Sequence, residues 1–159
     1  MVKVRKRISF KNILLVVLSC IAVFASFFAV FKVSKQDTKK TLGLTDYTIA
    51  TLNASGVETE SRLHLVSEDF LKVDGMEVKM KDGATVSYKL YFYDEEKVLL
   101  STNGVTDKLT VNYDTTNLPA TAKYFKIVIT PAEVDGEDVT VNLFNKNTYV
   151  KQISVSYEK

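Results

Sequence analysis

The stretch Gln152-Ile153-Ser154-Val155-Ser156-Tyr157 alternates polar and apolar residues without a break. A period of two puts Ile153, Val155 and Tyr157 on one side of an extended chain and Gln152, Ser154 and Ser156 on the other. A helix would scatter these apolar side chains around its axis, so the stretch reads as a half-buried strand. Moving back along the chain, the pattern recurs. Val139, Val141 and Leu143 alternate with Asp138, Thr140 and Asn142, and Leu109, Val111 and Tyr113 alternate with Lys108, Thr110 and Asn112. Further strands are predicted at Tyr47–Leu52, Arg62–Val66, Phe70–Val73, Met76–Met80, Thr85–Tyr93, Val98–Ser101 and Lys123–Thr130.

Turn chemistry separates these runs. Ser55-Gly56, Asp74-Gly75, Asp82-Gly83, Asn103-Gly104 and Asp135-Gly136 offer the positive φ that tight connections need. Asp74-Gly75 in particular reads as a two-residue hairpin turn between Phe70–Val73 and Met76–Met80. About ten short strands with no helix over residues 47–159 predict an all-β domain, a β-sandwich or jelly roll. Its expected core is Leu63, Leu65, Phe70, Val86, Tyr88, Leu90, Phe92, Leu109, Val111, Phe125, Ile127, Ile129, Val141, Leu143, Ile153 and Val155.

The N-terminal part is of another kind. From Asn12 to Phe31, twenty residues carry no charge. At 1.5 Å per residue they would make a helix of about 30 Å, the thickness of a hydrocarbon core. Lys3, Arg5, Lys6, Arg7 and Lys11 precede the run, so the positive-inside rule keeps residues 1–11 in the cytoplasm and exports the chain beyond the apolar run. The expectation is an uncleaved signal anchor over residues 12–33, a polar linker over 34–46 and an extracellular β domain over 47–159. A cleaved signal peptide and lipidation at Cys20 stand as alternatives for this segment.

Charge obeys the same division. Residues 1–41 hold nine Lys or Arg against one acid, whereas residues 42–159 hold twelve against eighteen. An acidic domain repels phosphate backbones, so nucleic acid is not an expected partner. Cys20 lies in the apolar run, which leaves the domain without a disulfide.

Two stretches carry a resemblance. Tyr88-Lys-Leu-Tyr-Phe-Tyr-Asp-Glu-Glu-Lys-Val-Leu-Leu-Ser101 is an aromatic strand running into a charged turn. Leu118-Pro-Ala-Thr-Ala-Lys-Tyr-Phe-Lys-Ile-Val-Ile129 is a proline turn leading into an apolar strand. Together with Ser67–Val73 they resemble galactose-binding-like jelly rolls, which include carbohydrate-binding modules and surface or phage proteins of Gram-positive bacteria. The resemblance covers roughly residues 42–159 and implies a fold more than a function. The chain departs from glycan-binding relatives in having no Trp.

Catalytic chemistry finds little footing. The one histidine, His64, alternates outward between Leu63 and Leu65 and reads as a surface strand residue. With Cys20 in the apolar run, neither Cys–His chemistry nor the usual zinc site can be assembled in the domain. No Gly-x-Ser-x-Gly elbow or Gly-rich phosphate loop occurs. The acidic turns Asp94-Glu95-Glu96 and Asp135/Glu137/Asp138 are read mainly as solvated turns, with Asp94, Glu95, Asp135 and Asp138 as calcium candidates. Binding is left. Tyr91 and Tyr93 lie opposite Tyr88, Leu90 and Phe92 and would form a stacking surface if that face were open, with Tyr113 and Tyr149 as further candidates. The functional expectation is a membrane-anchored, non-catalytic binding module for a glycan or envelope component. Its alternative is an assembly domain that binds a protein partner.

Overall fold

The computed structural model describes residues 39–159. Its strands are β1 (Lys39–Thr41), β2 (Tyr47–Thr48), β3 (Ala50–Leu52), β4 (Glu58–Glu60), β5 (Leu65–Ser67), β6 (Leu71–Lys72), β7 (Glu77–Met80), β8 (Val86–Tyr93), β9 (Tyr124–Pro131) and β10 (Ile153–Glu158), with one short helix, α1 (Lys146–Val150). The domain is all-β, built of several antiparallel sheets.

The longest strands organise it. β8 pairs with β9 over eight residues, from Val86 opposite Pro131 to Tyr93 opposite Tyr124. On the other edge of β9, β5 and β6 sit end to end: Leu65 faces Ile129, and Leu71 faces Phe125. β2 extends this five-stranded sheet beyond β5. A second sheet has the order β1-β10-β7, with Val155 opposite Val78. β3 and β4 form a separate two-stranded ribbon.

The run Val86–Tyr93 carries too few polar residues to leave a face to water, and Lys89 alone is exposed along it. Both faces are accordingly covered. One face carries Tyr88, Leu90 and Phe92, in a cluster with Phe125, Ile127 and Ile129 of β9 and with Val78, Ile153 and Val155 of the three-stranded sheet. The opposite face carries Tyr91, Tyr93, Val66 and Val128, covered by Ala50 and Leu52 of the β3–β4 ribbon.

Several expectations are corrected. Val98–Ser101 and Lys108–Tyr113 form no strands; isolated bridges join them to β8, such as Leu109 with Tyr88 and Leu99 with Tyr93. The intervening loop still covers the outer edge of β8: Leu100 N–H donates to Phe92 O and Thr106 N–H to Leu90 O. An edge capped this way offers no row of free groups to a foreign strand. Asp138–Leu143 forms no strand either; Val141 is buried and donates its N–H to Arg62 O, but the chain then turns at Asn142. Val111 and Leu143, placed in the core by their alternation, are 64% and 82% exposed.

Asp74-Gly75 turns the chain, but not into a hairpin, because β6 pairs with β9 and β7 with β10. Turn residues specify a reversal, not the partner. The prediction of no helix misses α1, which starts where Lys146 N–H donates to Asn142 O. The folded unit also begins before residue 47. β1 pairs with β10, Leu42 is buried, and Leu44–Asp46 forms a 3₁₀ turn. The segments 1–11 and 12–33, with the expected signal anchor, lie outside the described residues. Among the described residues, no helix is long and apolar enough to cross a membrane.

Candidate functional site

Tyr91 and Tyr93 do not form a stacking surface. They are 7% and 2% exposed. The Tyr91 hydroxyl donates to Leu52 O at 3.1 Å and the Tyr93 hydroxyl to Gly56 O at 2.9 Å. Burial pushes both phenols up in pKa, so each stays a neutral donor. The β3–β4 ribbon closes the face that the sequence left open.

Tyr113 is placed differently. It is half-buried, with its ring 5.9 Å from that of Phe92, and its N–H donates to Val78 O. It lines an open groove of about 400 Å³ between the loop at Asn103–Leu109 and the segment Val111–Asn117. The same groove is lined by Asn103, Asp107, Asn112, Asp114 and Asn117, all exposed, and by the apolar Val105, Leu109 and Val111. Asn112 uses Oδ1 to accept Met80 N–H at 2.8 Å, which fixes the side chain and leaves its amide N–H₂ outside that bond. Asp114 Oδ1 accepts Thr116 N–H at 2.9 Å, capping the 3₁₀ turn Thr115–Asn117. That bond lowers the pKa of Asp114. Burial raises that of Tyr113, with Asp114 adding to it. At neutral pH Asp114 is therefore a carboxylate and Tyr113 a neutral phenol.

Gly104 shapes one wall of this loop. A Cβ there would lie 2.0 Å from Leu100 O, so the tight approach admits no side chain. Tyr149, the fourth tyrosine predicted, is half-buried against the main core and belongs to α1, not to the groove.

The acidic candidates lie on turns that the structure accounts for without a ligand. Asp94 Oδ1 accepts Val98 N–H at 2.8 Å, and Glu95 is exposed beside it. Asp135 takes a φ of 54° in the turn where Val134 bridges to Glu137, and Asp138 is exposed just beyond it. Among the described residues no three His, Cys, Asp or Glu side chains gather as a metal site.

His64 is not an outward strand residue, since β5 starts only at Leu65. It is half-buried, with Nδ1 2.8 Å from Ser61 Oγ, and Ser61 Oγ also accepts Leu63 N–H at 3.2 Å. This is a local turn around Ser61. Burial lowers the pKa of His64, with Lys108 and Lys89 adding to the effect and Asp138 opposing it.

Two features escaped the sequence reading: the polar lining of the Tyr113 groove and the exposure of Leu143-Phe144, at 82% and 98%. The run Asn112-Tyr-Asp-Thr-Thr-Asn117 signals the first by setting an aromatic among amides and an acid. No protein-family model, no curated protein and no solved structure matches the chain.

Proposed function

We propose that the protein is a membrane-anchored, extracytoplasmic, non-catalytic binding module whose ligand is a neutral or cationic glycan of the cell envelope. The observation that carries this reading is the groove that Tyr113 lines together with Asn103, Asp107, Asn112, Asp114 and Asn117. Sugar rings present apolar C–H faces and many hydroxyls. A half-buried phenol supplies the apolar contact, and amides and carboxylates, with Asn112 and Asp114 held by hydrogen bonds, supply donors and acceptors along the groove. Two carboxylates disfavour anionic polymers. The apolar run at Asn12–Phe31 with its basic flank supports the anchor and the exported position. A galactose-binding-like sandwich is consistent with two antiparallel sheets sharing one apolar cluster.

The test is binding of isolated envelope glycans, neutral and anionic, to the full chain in lipid nanodiscs. Tyr113→Ala is expected to weaken binding at least tenfold, about 1.4 kcal/mol. Tyr113→Phe is expected to retain most of it. Binding that is unchanged by Tyr113→Ala, or confined to anionic polymers, sinks this reading. The second reading, an assembly domain for a protein partner, is favoured by the near-complete exposure of Leu143 and Phe144.

A further inference from the structure

The groove at Tyr113 borders two further hollows. It shares Asn103 and Val105 with one of about 610 Å³ that Ser55 and Ser101 also line. It shares Val111 and Asn112 with another of about 330 Å³ that Lys81 and Thr110 also line. Each border therefore pairs one valine with one asparagine. Val105 is 38% and Val111 64% exposed, and both asparagines are exposed as well. Asn112 is held by its bond to Met80 N–H, and Asn103 takes a φ of 54° directly before the closely packed Gly104. The same chemistry, an apolar top beside a carboxamide, thus occurs at both borders of the Tyr113 groove.

A repeated surface fits a repeating ligand. A linear chain of sugar rings brings an apolar C–H face and hydroxyls again with every unit, and each Val–Asn pair offers a partner to both. An extended peptide is poorly served, because the β8 edge behind these loops is already bonded: Leu100 N–H donates to Phe92 O, Thr106 N–H to Leu90 O, and Leu109 and Tyr88 exchange both bonds. A polyanion meets Asp82, Asp107 and Asp114 along the three hollows against Lys81 as the one cation in their lining. Building on the glycan reading of the Tyr113 groove, we propose that the ligand is a linear, neutral polysaccharide bound within its length. One unit lies at Tyr113, and further units cross Val105 and Val111 into the flanking hollows. The module thereby recognises a run of sugar units and not a single sugar or a chain end.

The experiment titrates the full chain in lipid nanodiscs with chitin-derived, cellulose-derived and starch-derived oligosaccharides, each from the monosaccharide to the hexasaccharide. In at least one series the affinity is expected to rise at least tenfold from disaccharide to hexasaccharide. Ser101→Arg and Thr110→Arg each place a bulky side chain in one flanking hollow, from an exposed position that tolerates it. Each is expected to remove most of the gain with length and to leave disaccharide binding and the melting temperature unchanged, whereas Tyr113→Ala weakens every length. Tyr113-dependent binding that does not grow with length, or growth that survives both arginine variants, overturns the inference and leaves the Tyr113 groove standing. Binding of none of these oligosaccharides, where an envelope glycan still binds through Tyr113, does the same. Binding of glycans that is indifferent to Tyr113→Ala sinks the glycan reading itself, and this inference with it.

Discussion

The Tyr93 hydroxyl donates to Gly56 O at 2.9 Å, tying the end of β8 to the turn of the β3–β4 ribbon 37 residues away in sequence. Gly56 has a φ of 72°, and a Cβ there would come within 2.8 Å of that same hydroxyl. The bond and the glycine are thus one device that closes the ribbon over the second apolar cluster. Tyr93→Phe leaves Gly56 O without this partner and is expected to cost about 1–2 kcal/mol in urea unfolding. The glycan binding proposed for the groove should not change, since Tyr93 does not line it. Gly56→Ala is expected to cost more than Tyr93→Phe, because it adds backbone strain to the contact.

Lys126 is a buried cation at 6% exposure. Its Nζ donates to Glu68 O at 2.8 Å, stands 3.6 Å from Glu58 Oε2 and lies 5.1 Å from the centre of the Phe70 ring. Lys126→Ala removes the stem, the hydrogen bond and the ring contact together and is expected to cost about 2–3 kcal/mol. Lys126→Met keeps the stem and should recover a good part of that loss. Equal destabilisation by both variants would show that the ammonium with its contacts, and not the stem, carries the effect.

Much of this fold was legible and some was not, and these residues show why. The alternation of Ile153, Val155 and Tyr157 correctly placed β10, and the apolar run at Val86–Tyr93 correctly placed β8. Which face of β8 would be open was not local information. It depends on the β3–β4 ribbon, whose Glu-Thr-Glu strand is exposed at every residue and carries no burial pattern to read. The alternation at Leu109–Tyr113 and Val139–Leu143 misled for a different reason. A two-bond bridge between Leu109 and Tyr88, a bond from Tyr113 N–H to Val78 O and one from Val141 N–H to Arg62 O hold those segments in place of a continuous ladder, and a bend at Val111 and the turn at Asn142 leave Val111 and Leu143 exposed. The groove was half legible: Tyr113 was named, but its polar neighbours at Asn103 and Asp107 arrive from a loop ten and six residues away.

Gly104→Ala should be among the most damaging small substitutions, because the added carbon meets Leu100 O, a backbone atom that cannot step aside. A loss above about 2 kcal/mol is expected, together with weakened ligand binding as the loop shifts. Unfolding and glycan titration on the same sample would separate the two effects.

Glu77 has its pKa lowered from an ordinary 4.5 to about 2, first by the side-chain hydrogen bond from Lys39 and then by that from Lys79. A depressed carboxyl contributes stability above its unfolded pKa and loses it as the pH falls towards the folded one. The window is therefore about pH 4.5 down to about 2. The pair is exposed, so about 1 M salt should move the Glu77 titration, monitored by carboxyl NMR shifts, back towards 4.5.

His64 also has a lowered pKa, here because burial makes the folded state disfavour its charged form. The unfolded chain then binds the proton more readily, so stability falls as the pH drops through 6.5 and levels off below the folded pKa. His64→Gln is expected to flatten the stability profile over that range, as read by melting temperature against pH.

The described chain enters the domain at Lys39, opposite Glu158, and β1 runs alongside β10 for three residue pairs. A pull on Lys39 along the axis of β1 against a fixed β10 would slide the two strands past each other and strain the ladder bonds together, whereas a pull away from β10 would open them in turn, starting at the Lys39–Glu158 pair.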